Sequence, residues 1–392
     1  MHFLIITRAN YPSSSWGNRV RMIAKGLIKN GVKVEVLVTH PWPRKENIDI
    51  SEDFVKYLSP VQEKKENLFS ILKQIKTLFV LKKTLEEYKN VDKILLTGDR
   101  WLDSFFISKF CKKHKIEFLV EVVDEVGRQF DKKKNTIYSI LAIINRKLFN
   151  SNLTKIDKLF VLSSFLENKY KKIMPSNKVI RSSPTLINKE DYLYKLKNFQ
   201  YFKNEELSLT KNDILISYVG SCERPNGIFF FLDAIAYEIL INKYTNIKIL
   251  FVFHLGNIKT IEQHISKLAI SKNIIIIPGI NPYYIPSIYE RSDILILPEQ
   301  GDVIANAGFP GKVGEYLISG RAIISTNFSD LNNYLINDYN CLLSEIGDVN
   351  TYQKNLETLI NDKDKRIKLG ENAKITGQKY FNYINAAKIY LE

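Results

Sequence analysis

Apolar residues in this chain fall into short unbroken runs separated by longer stretches in which they recur every three or four positions. That is the pattern of strands covered on both faces alternating with amphipathic helices. The opening forty residues read as a strand (HFLIIT), a polar loop (RANYPSSSWGNR), a helix carrying Val20, Ile23, Ala24, Leu27 and Ile28 on one stripe, a stop at Gly31, and a second strand (VKVEVLV). Such a βαβ unit opens a parallel sheet. Further apolar runs at 93–98, 117–123 and 158–163 extend it. Periodicity is then lost through 179–202, and a second alternating series begins at DILISYVG (213–220) and continues at 246–253, 273–279, 293–298 and 321–326. The pattern predicts an α/β chain of two doubly wound, Rossmann-like domains facing a central cleft. The domains are expected at 1–195 and 213–375, joined by a linker at 196–212, with a C-terminal helix (376–392) packing back on the first. Ligands of such sheets bind at the carboxyl ends of the strands.

The length of 392 residues, with 45% hydrophobic and 12% aromatic positions, suits two cores rather than one. Cys111, Cys222 and Cys341 are odd in number and scattered, which argues against a disulfide framework and shows no zinc-ligand spacing. The start MHFLIITRA enters a strand without a basic leader, and no run of 18 apolar residues occurs, so a cytoplasmic protein without a membrane span is expected. Charge changes the picture more than composition does. Residues 1–200 carry 38 Lys and Arg against 21 Asp and Glu, a net +17, whereas residues 201–392 carry 19 against 21. A basic half-protein points to an anionic partner: a phosphorylated substrate, an anionic leaflet or nucleic acid. A solvated lysine surface is the alternative. Nucleic acid is disfavoured, because the lysines are not interleaved with aromatics in any recognisable module.

The densest chemical signal is PGKVGEYLISGRAIISTNF (310–328), a charged helix start, then Gly320, then a buried strand. It places Lys312 and Glu315 at a helix N-terminus, where unpaired N–H groups and the dipole favour phosphate. Glu315 there could accept hydrogen bonds from sugar hydroxyls, although an ordinary intrahelical ion pair explains the same spacing. Residues 64–89 form a second signal, with Leu68, Leu72, Ile75 and Phe79 on one face and Lys73, Lys76, Lys82 and Lys83 beside it. This suits a helix on an anionic membrane surface, or equally one docked on the first sheet. The five histidines are scattered without ligand spacing, so no metal site is expected.

In order along the chain, ISYVGSCERPNGIFFFLDAIA, IIIIPGINPYYIPSIYERSDILILP, FPGKVGEYLISGRAIIST, NDYNCLLSEIGDVNTYQKNLETLI and LGENAK resemble the retaining glycosyltransferases of family 4, which have the GT-B fold. The first half agrees more loosely, through RANYPSSSWGNRVRMIAKGLIKNGVKVEVLV, KIDKLFVLSSFLENKY and SSPTLINKEDY. The resemblance implies a nucleotide-diphosphate sugar bound by the second domain through Gly220, Ile280, Gly308, Phe309, Lys312 and Glu315, with Gly17 approaching from the first. It implies Glu315 on the ribose hydroxyls, backbone N–H groups from Gly308 and Phe309, Ile280 at the base, and Arg224 and Lys312 on the diphosphate. Asp99 and Arg100 stand where several members carry a histidine, so Asp99 is a candidate catalytic carboxylate; as a strand-end turn residue it has a purely structural alternative. Asp124 and Glu125 form another carboxylate pair at a strand end, and the helix at 131–149 is a candidate acceptor-side element.

The departures from the pattern are specific. The family often has two glutamates separated by seven residues, and the first of them falls here on Ala307. Ser221 and Asn226 occupy the usual basic positions of the phosphate loop. The expected activity is retaining, metal-independent hexosyl transfer, with no cofactor beyond the donor. The acceptor is expected to be a lipid-linked glycan of surface polysaccharide synthesis, at the inner face of the membrane. A non-catalytic GT-B scaffold and a nucleotide-sugar epimerase are the alternatives.

Overall fold

The computed structural model describes residues 1–12, 14–39, 52–58, 68–124, 136–201, 209–210, 212–222, 226–233, 244–301 and 303–392. The chain divides into two compact units, one of Met1–Leu186 with Tyr383–Glu392 and one of Ile187–Asn382.

The first unit runs β1 (His2–Thr7), α1 (Ser15–Lys29), β2 (Lys33–Val38), β3 (Val55–Tyr57), α2 (Leu68–Leu85), β4 (Lys93–Thr97), α3 (Trp101–His114), β5 (Glu117–Val122), α4 (Thr136–Asn152), β6 (Lys158–Val161), α5 (Ser164–Lys171) and β7 (Val179–Arg181). Its sheet is parallel, in the order β3-β2-β1-β4-β5-β6-β7. Helix α1 starts at Ser14, whose hydroxyl caps the Gly17 N–H at 2.9 Å. Val20, Ile23, Ala24 and Leu27 turn inward as their spacing predicts, while Ile28, last on the stripe, is exposed. In α2 the inward residues are Leu81, Thr84 and Leu85, and Phe79 stands 71% exposed. Residues 64–67 lie outside the described residues, as do the side chains of Leu68, Leu72, Lys73, Ile75 and Lys76.

The second unit runs α6 (Lys189–Asn198), β8 (Ile214–Cys222), α7 (Asn226–Phe231), β9 (Ile247–Gly256), α8 (Ile258–Lys267), β10 (Ile274–Pro278), α9 (Ile285–Arg291), β11 (Ile294–Leu297), α10 (Val303–Ala307), α11 (Lys312–Ser319), β12 (Ala322–Thr326), β13 (Leu342–Ser344), α12 (Val349–Asn361) and α13 (Lys363–Phe381). The parallel order β10-β9-β8-β11-β12-β13 reverses direction at β8, the switch point where such sheets place ligands. Alternation along the strands divides the core. Ile216, Tyr218, Phe251 and Phe253 lie in one layer, and Leu215, Val219, Leu250 and Val252 in the other.

Residues 196–198, the start of the stretch expected as linker, close helix α6, which lies in the second unit although residues 187–195 were expected in the first domain. Asn188 caps α6 by accepting from the Asp191 N–H at 3.1 Å, and Glu190 and Asp191 load its first turn. The C-terminal segment also differs from expectation. Helix α13 stays with the second unit, and the returning piece is the shorter α14 (Tyr383–Ala387), which packs on α1. A Cβ on Gly26 would meet the Tyr383 carbonyl and the Ala387 methyl, so the two helices approach this closely only because residue 26 is glycine. Beneath them Arg19 pairs with Glu121 at 2.8 Å, and the Tyr390 hydroxyl donates to the same carboxylate.

Candidate functional site

Strand β8 brings Tyr218, Val219 and Gly220 to its carboxyl end, with a break in register between Gly220 and Ser221. Tyr218 donates to the Ser221 carbonyl at 3.1 Å and so fixes the turn. The N–H of Val219 donates to the Tyr316 hydroxyl at 3.2 Å, which locks α11 onto the strand. Gly227, in the first turn of α7, lies against the Pro298 carbonyl with no room for a Cβ, which brings the start of that helix against the loop after β11.

Helix α11 begins at Gly311 without a side-chain cap, and nothing lies within 4 Å of where a Gly311 Cβ would stand. The Val313 N–H is held by the Pro310 carbonyl at 3.0 Å, and no side chain caps the helix start. Lys312 reaches across to β8, its ammonium 3.9 Å from the centre of the Tyr218 ring and in the place a Gly220 side chain would take. Gly220 is thus the residue that admits the cation. Lys312 makes no ion pair among the described residues. Desolvation lowers its pKa, opposed by Tyr316, Glu299 and Glu315. A half-buried ammonium resting on an aromatic face beside an uncapped helix start is an arrangement suited to an anion.

One turn on, Glu315 accepts a hydrogen bond of 2.9 Å from the buried Tyr289 hydroxyl of α9. Desolvation pushes the carboxyl upward, against the pull of Tyr289, Lys195 and Lys312, although solvent still reaches the side chain. Tyr192 of α6 is buried nearby with its hydroxyl unpartnered, and Glu290 and Glu315 add to the burial that raises its pKa. The amide nitrogen of Gln300, in the loop after β11, is likewise buried without a partner. These two unused polar groups lie in the same unit as the uncapped helix.

The structure brings Gly220, Lys312 and Glu315 together. Gly308 and Phe309 precede α11, where Ser329 donates to the Gly308 carbonyl at 2.7 Å and Phe309 packs edge-on to Tyr334. Ile280 is buried in the core beside β10. Ala307 is fully buried at the end of α10. Arg224 lies outside the described residues, as does the side chain of Asn226. Gly17 and Asp99 belong to the first unit. The Gly17 N–H is taken by Ser14, and a Cβ there would strike the Asn10 carbonyl, so close packing already requires this glycine. Asp99 follows β4, its carbonyl accepting from Asn145 at 3.0 Å; Arg100 next to it lies 3.8 Å from Asp103, which also faces Arg8 at 3.6 Å. Glu125 is outside the described residues.

Sequence reasoning missed Tyr218, Tyr289 and Tyr316, which carry no motif and whose roles arise from strand-to-helix packing. All three cysteines are buried, and burial pushes the Cys111 thiol up to about 12. Among the described residues no group of three or more His, Cys, Asp or Glu is gathered as metal ligands, and no helix is long and apolar enough to cross a membrane.

Residues 200–376 match the family model described as glycosyl transferases group 1. Over 241 residues the chain is 22% identical to the capsular polysaccharide biosynthesis glycosyltransferase CapM of Staphylococcus aureus, covering 61% of this chain and 55% of that protein. The match thus spans just over half of the relative's length. Solved structures agree over the full length. Sucrose-phosphate synthase from Thermosynechococcus elongatus superposes with a TM-score of 0.74 at 15% identity, covering 99% of this chain and 97% of that one. Anabaena HepE in complex with UDP gives 0.70 at 10% identity, covering 100% and 98%. Both likenesses concern the fold, which is GT-B.

Proposed function

We propose that this chain, whose residues 200–376 match the glycosyl transferases group 1 model, moves a hexosyl unit from a nucleoside-diphosphate sugar to a glycan acceptor of surface polysaccharide synthesis. The observation that carries the reading is the Lys312 ammonium on Tyr218, admitted by Gly220 and set beside the uncapped start of α11. That constellation suits the donor diphosphate, with positive charge fixed before the leaving group develops its negative charge. Glu315, held by Tyr289, is the acceptor for ribose hydroxyls. HepE binds UDP, which supports a nucleoside diphosphate as donor without fixing its base here.

In this mechanism the sugar's bond to the β-phosphate breaks while Lys312 and the α11 N–H groups, with Arg224 as the further cation, take up the charge. The acceptor hydroxyl oxygen forms the new bond to the anomeric carbon from the face that the diphosphate leaves, its proton passing to the departing β-phosphate, so the configuration is retained and protein cations carry the load without a metal. Asp99, at the end of β4, is the acceptor-side carboxylate of the proposal. The acceptor is lipid-linked and held at the inner face of the membrane, in keeping with the net +17 of residues 1–200. Ala307, fully buried where relatives often carry a glutamate, favours one competing reading, a scaffold that binds the donor without turning it over.

The test is a thermal-shift screen against UDP, GDP, CMP and their sugar conjugates, with and without EDTA, followed by a transfer assay. One nucleoside diphosphate should raise the melting temperature regardless of EDTA, since a ligand bound only by the native state stabilises it. Lys312→Met should diminish the shift at the same nucleotide concentration. Absence of a shift with every nucleotide overturns the proposal, and a shift without sugar transfer selects the scaffold.

A further inference from the structure

Helix α4 is apolar on its outward side as well as its inward one. Its inward side carries Ala142, Asn145, Phe149 and Asn152, and both amides are engaged. Asn145 accepts from the Trp101 N–H at 3.1 Å and donates to the Asp99 carbonyl, and Asn152 donates to the Ser104 hydroxyl at 2.7 Å. Its outward side carries Ile140, Leu141, Ile143, Ile144 and Leu148, each with 37% to 51% of its surface in solvent. At 3.6 residues per turn these positions share one side of the helix, opposite residues 142, 145 and 149. Scattered exposed leucines need no explanation, but a contiguous apolar face on a helix that buries its polar residues does.

We infer that this outward face of α4 is a docking surface for an anionic lipid bilayer. Charge selects that occupant. Lys147 lies exposed within the apolar face, Lys155 follows the helix, and α3, which packs on α4, exposes Lys109, Lys112 and Lys113. Residues 1–200 carry a net +17, so two copies of this chain meeting at this face would repel, whereas an anionic leaflet is drawn to it. An apolar strip bordered by long cationic side chains is what lies in a headgroup layer, with the isoleucines entering the acyl boundary and the lysines reaching back to phosphates. The inference rests on the reading that the acceptor is carried by a membrane. It assigns the docking to α4, whereas the sequence pattern singled out the helix at 64–89.

Cosedimentation of the full chain with vesicles tests it. Wild type should bind vesicles containing phosphatidylglycerol, bind pure phosphatidylcholine at least tenfold more weakly, and be released by high salt. Ile140→Gln/Ile144→Gln should lose at least tenfold in partitioning while melting as wild type does, because both side chains are already exposed, and Phe79→Gln in α2 should bind normally. Failure of wild type to bind anionic vesicles overturns the inference. So does unchanged binding by the double variant, or a wild-type dimer that the double variant converts to monomer. The donor thermal shift, measured on the same samples, separates the two readings. A shift without vesicle binding removes only the docking surface; vesicle binding without any nucleotide shift removes only the transferase.

Discussion

Gly220 and Lys312 are a matched pair, since the ammonium occupies the space that any side chain at 220 would need. Gly220→Ala should therefore mimic Lys312→Met, weakening the donor nucleotide about 10–100-fold in calorimetry, the scale of a hydrogen bond to a charged group. Glu315 and Lys312 also set a pH window. Desolvation raises the Glu315 carboxyl above the ordinary 4.5 and lowers the Lys312 ammonium below the ordinary 10.5. Donor binding needs both charged. It should fall on the acid side at a pH above the normal carboxylate range and on the alkaline side earlier than for a free lysine. Glu315→Gln should remove the acid limb and Lys312→Met the alkaline one; an acid limb at 4.5 or below contradicts the assignment. The sign for folding is separate. A carboxyl whose folded pKa is raised contributes stability that is full below its unfolded pKa and is lost as pH rises through the folded one. Solvent reaches Glu315, so this contribution is small and the window should appear in binding rather than in melting.

At the scale of elements, Asn145 couples α4 to the start of α3 and to the loop holding Asp99. Asn145→Leu leaves a helix-start N–H and a carbonyl unpaired, which should cost about 1–3 kcal/mol in urea unfolding; a change below 0.5 kcal/mol would show that the bridge is idle. The same helix shows where sequence stops being legible. Strands β8 to β12 were readable to within a few residues because central parallel strands are apolar throughout. The three-residue strands β3, β7 and β13 are too short for any period to register. Helix α6 was overlooked, although Asn188 followed by Glu190 and Asp191 is a helix-start signal, because its charged surface masks the stripe. Lys312 and Glu315 were legible as a helix start. Tyr289 and Tyr218 were not, since the contacts that matter cross from one element to another. The exposed apolar face of α4 was hidden for the opposite reason: its apolar count resembles that of any core helix, and only packing reveals which side is inward.

Over the whole molecule, both ends of the chain lie in the first unit, so the second is contributed by one continuous insertion, Ile187–Asn382. The last ten residues carry more weight than their number suggests. Burial works against the Arg19 charge, yet Glu121 and Tyr390 more than offset it, and the three form one buried cluster to which Ser182 and the Pro184 carbonyl contribute. Removing Tyr390 takes a hydroxyl from a fully buried carboxylate, and removing α14 also uncovers the apolar stripe of α1. Truncation after Asn382 should therefore destabilise the first unit by several kcal/mol, the sum of about 1–3 kcal/mol for the lost hydrogen bond and about 25 cal/mol for each Å² of apolar surface uncovered. The second unit, which holds the candidate donor site in its own two-layered core, loses no internal contact by this cut. Limited proteolysis of the truncated chain should degrade residues 1–186 first and leave a fragment near 187–382 that still shows the donor thermal shift. Tyr390→Phe should fall between wild type and truncation. Equal protease resistance of both units after truncation would mean that the tail is a surface strap and that Arg19 and Glu121 hold the first core by themselves.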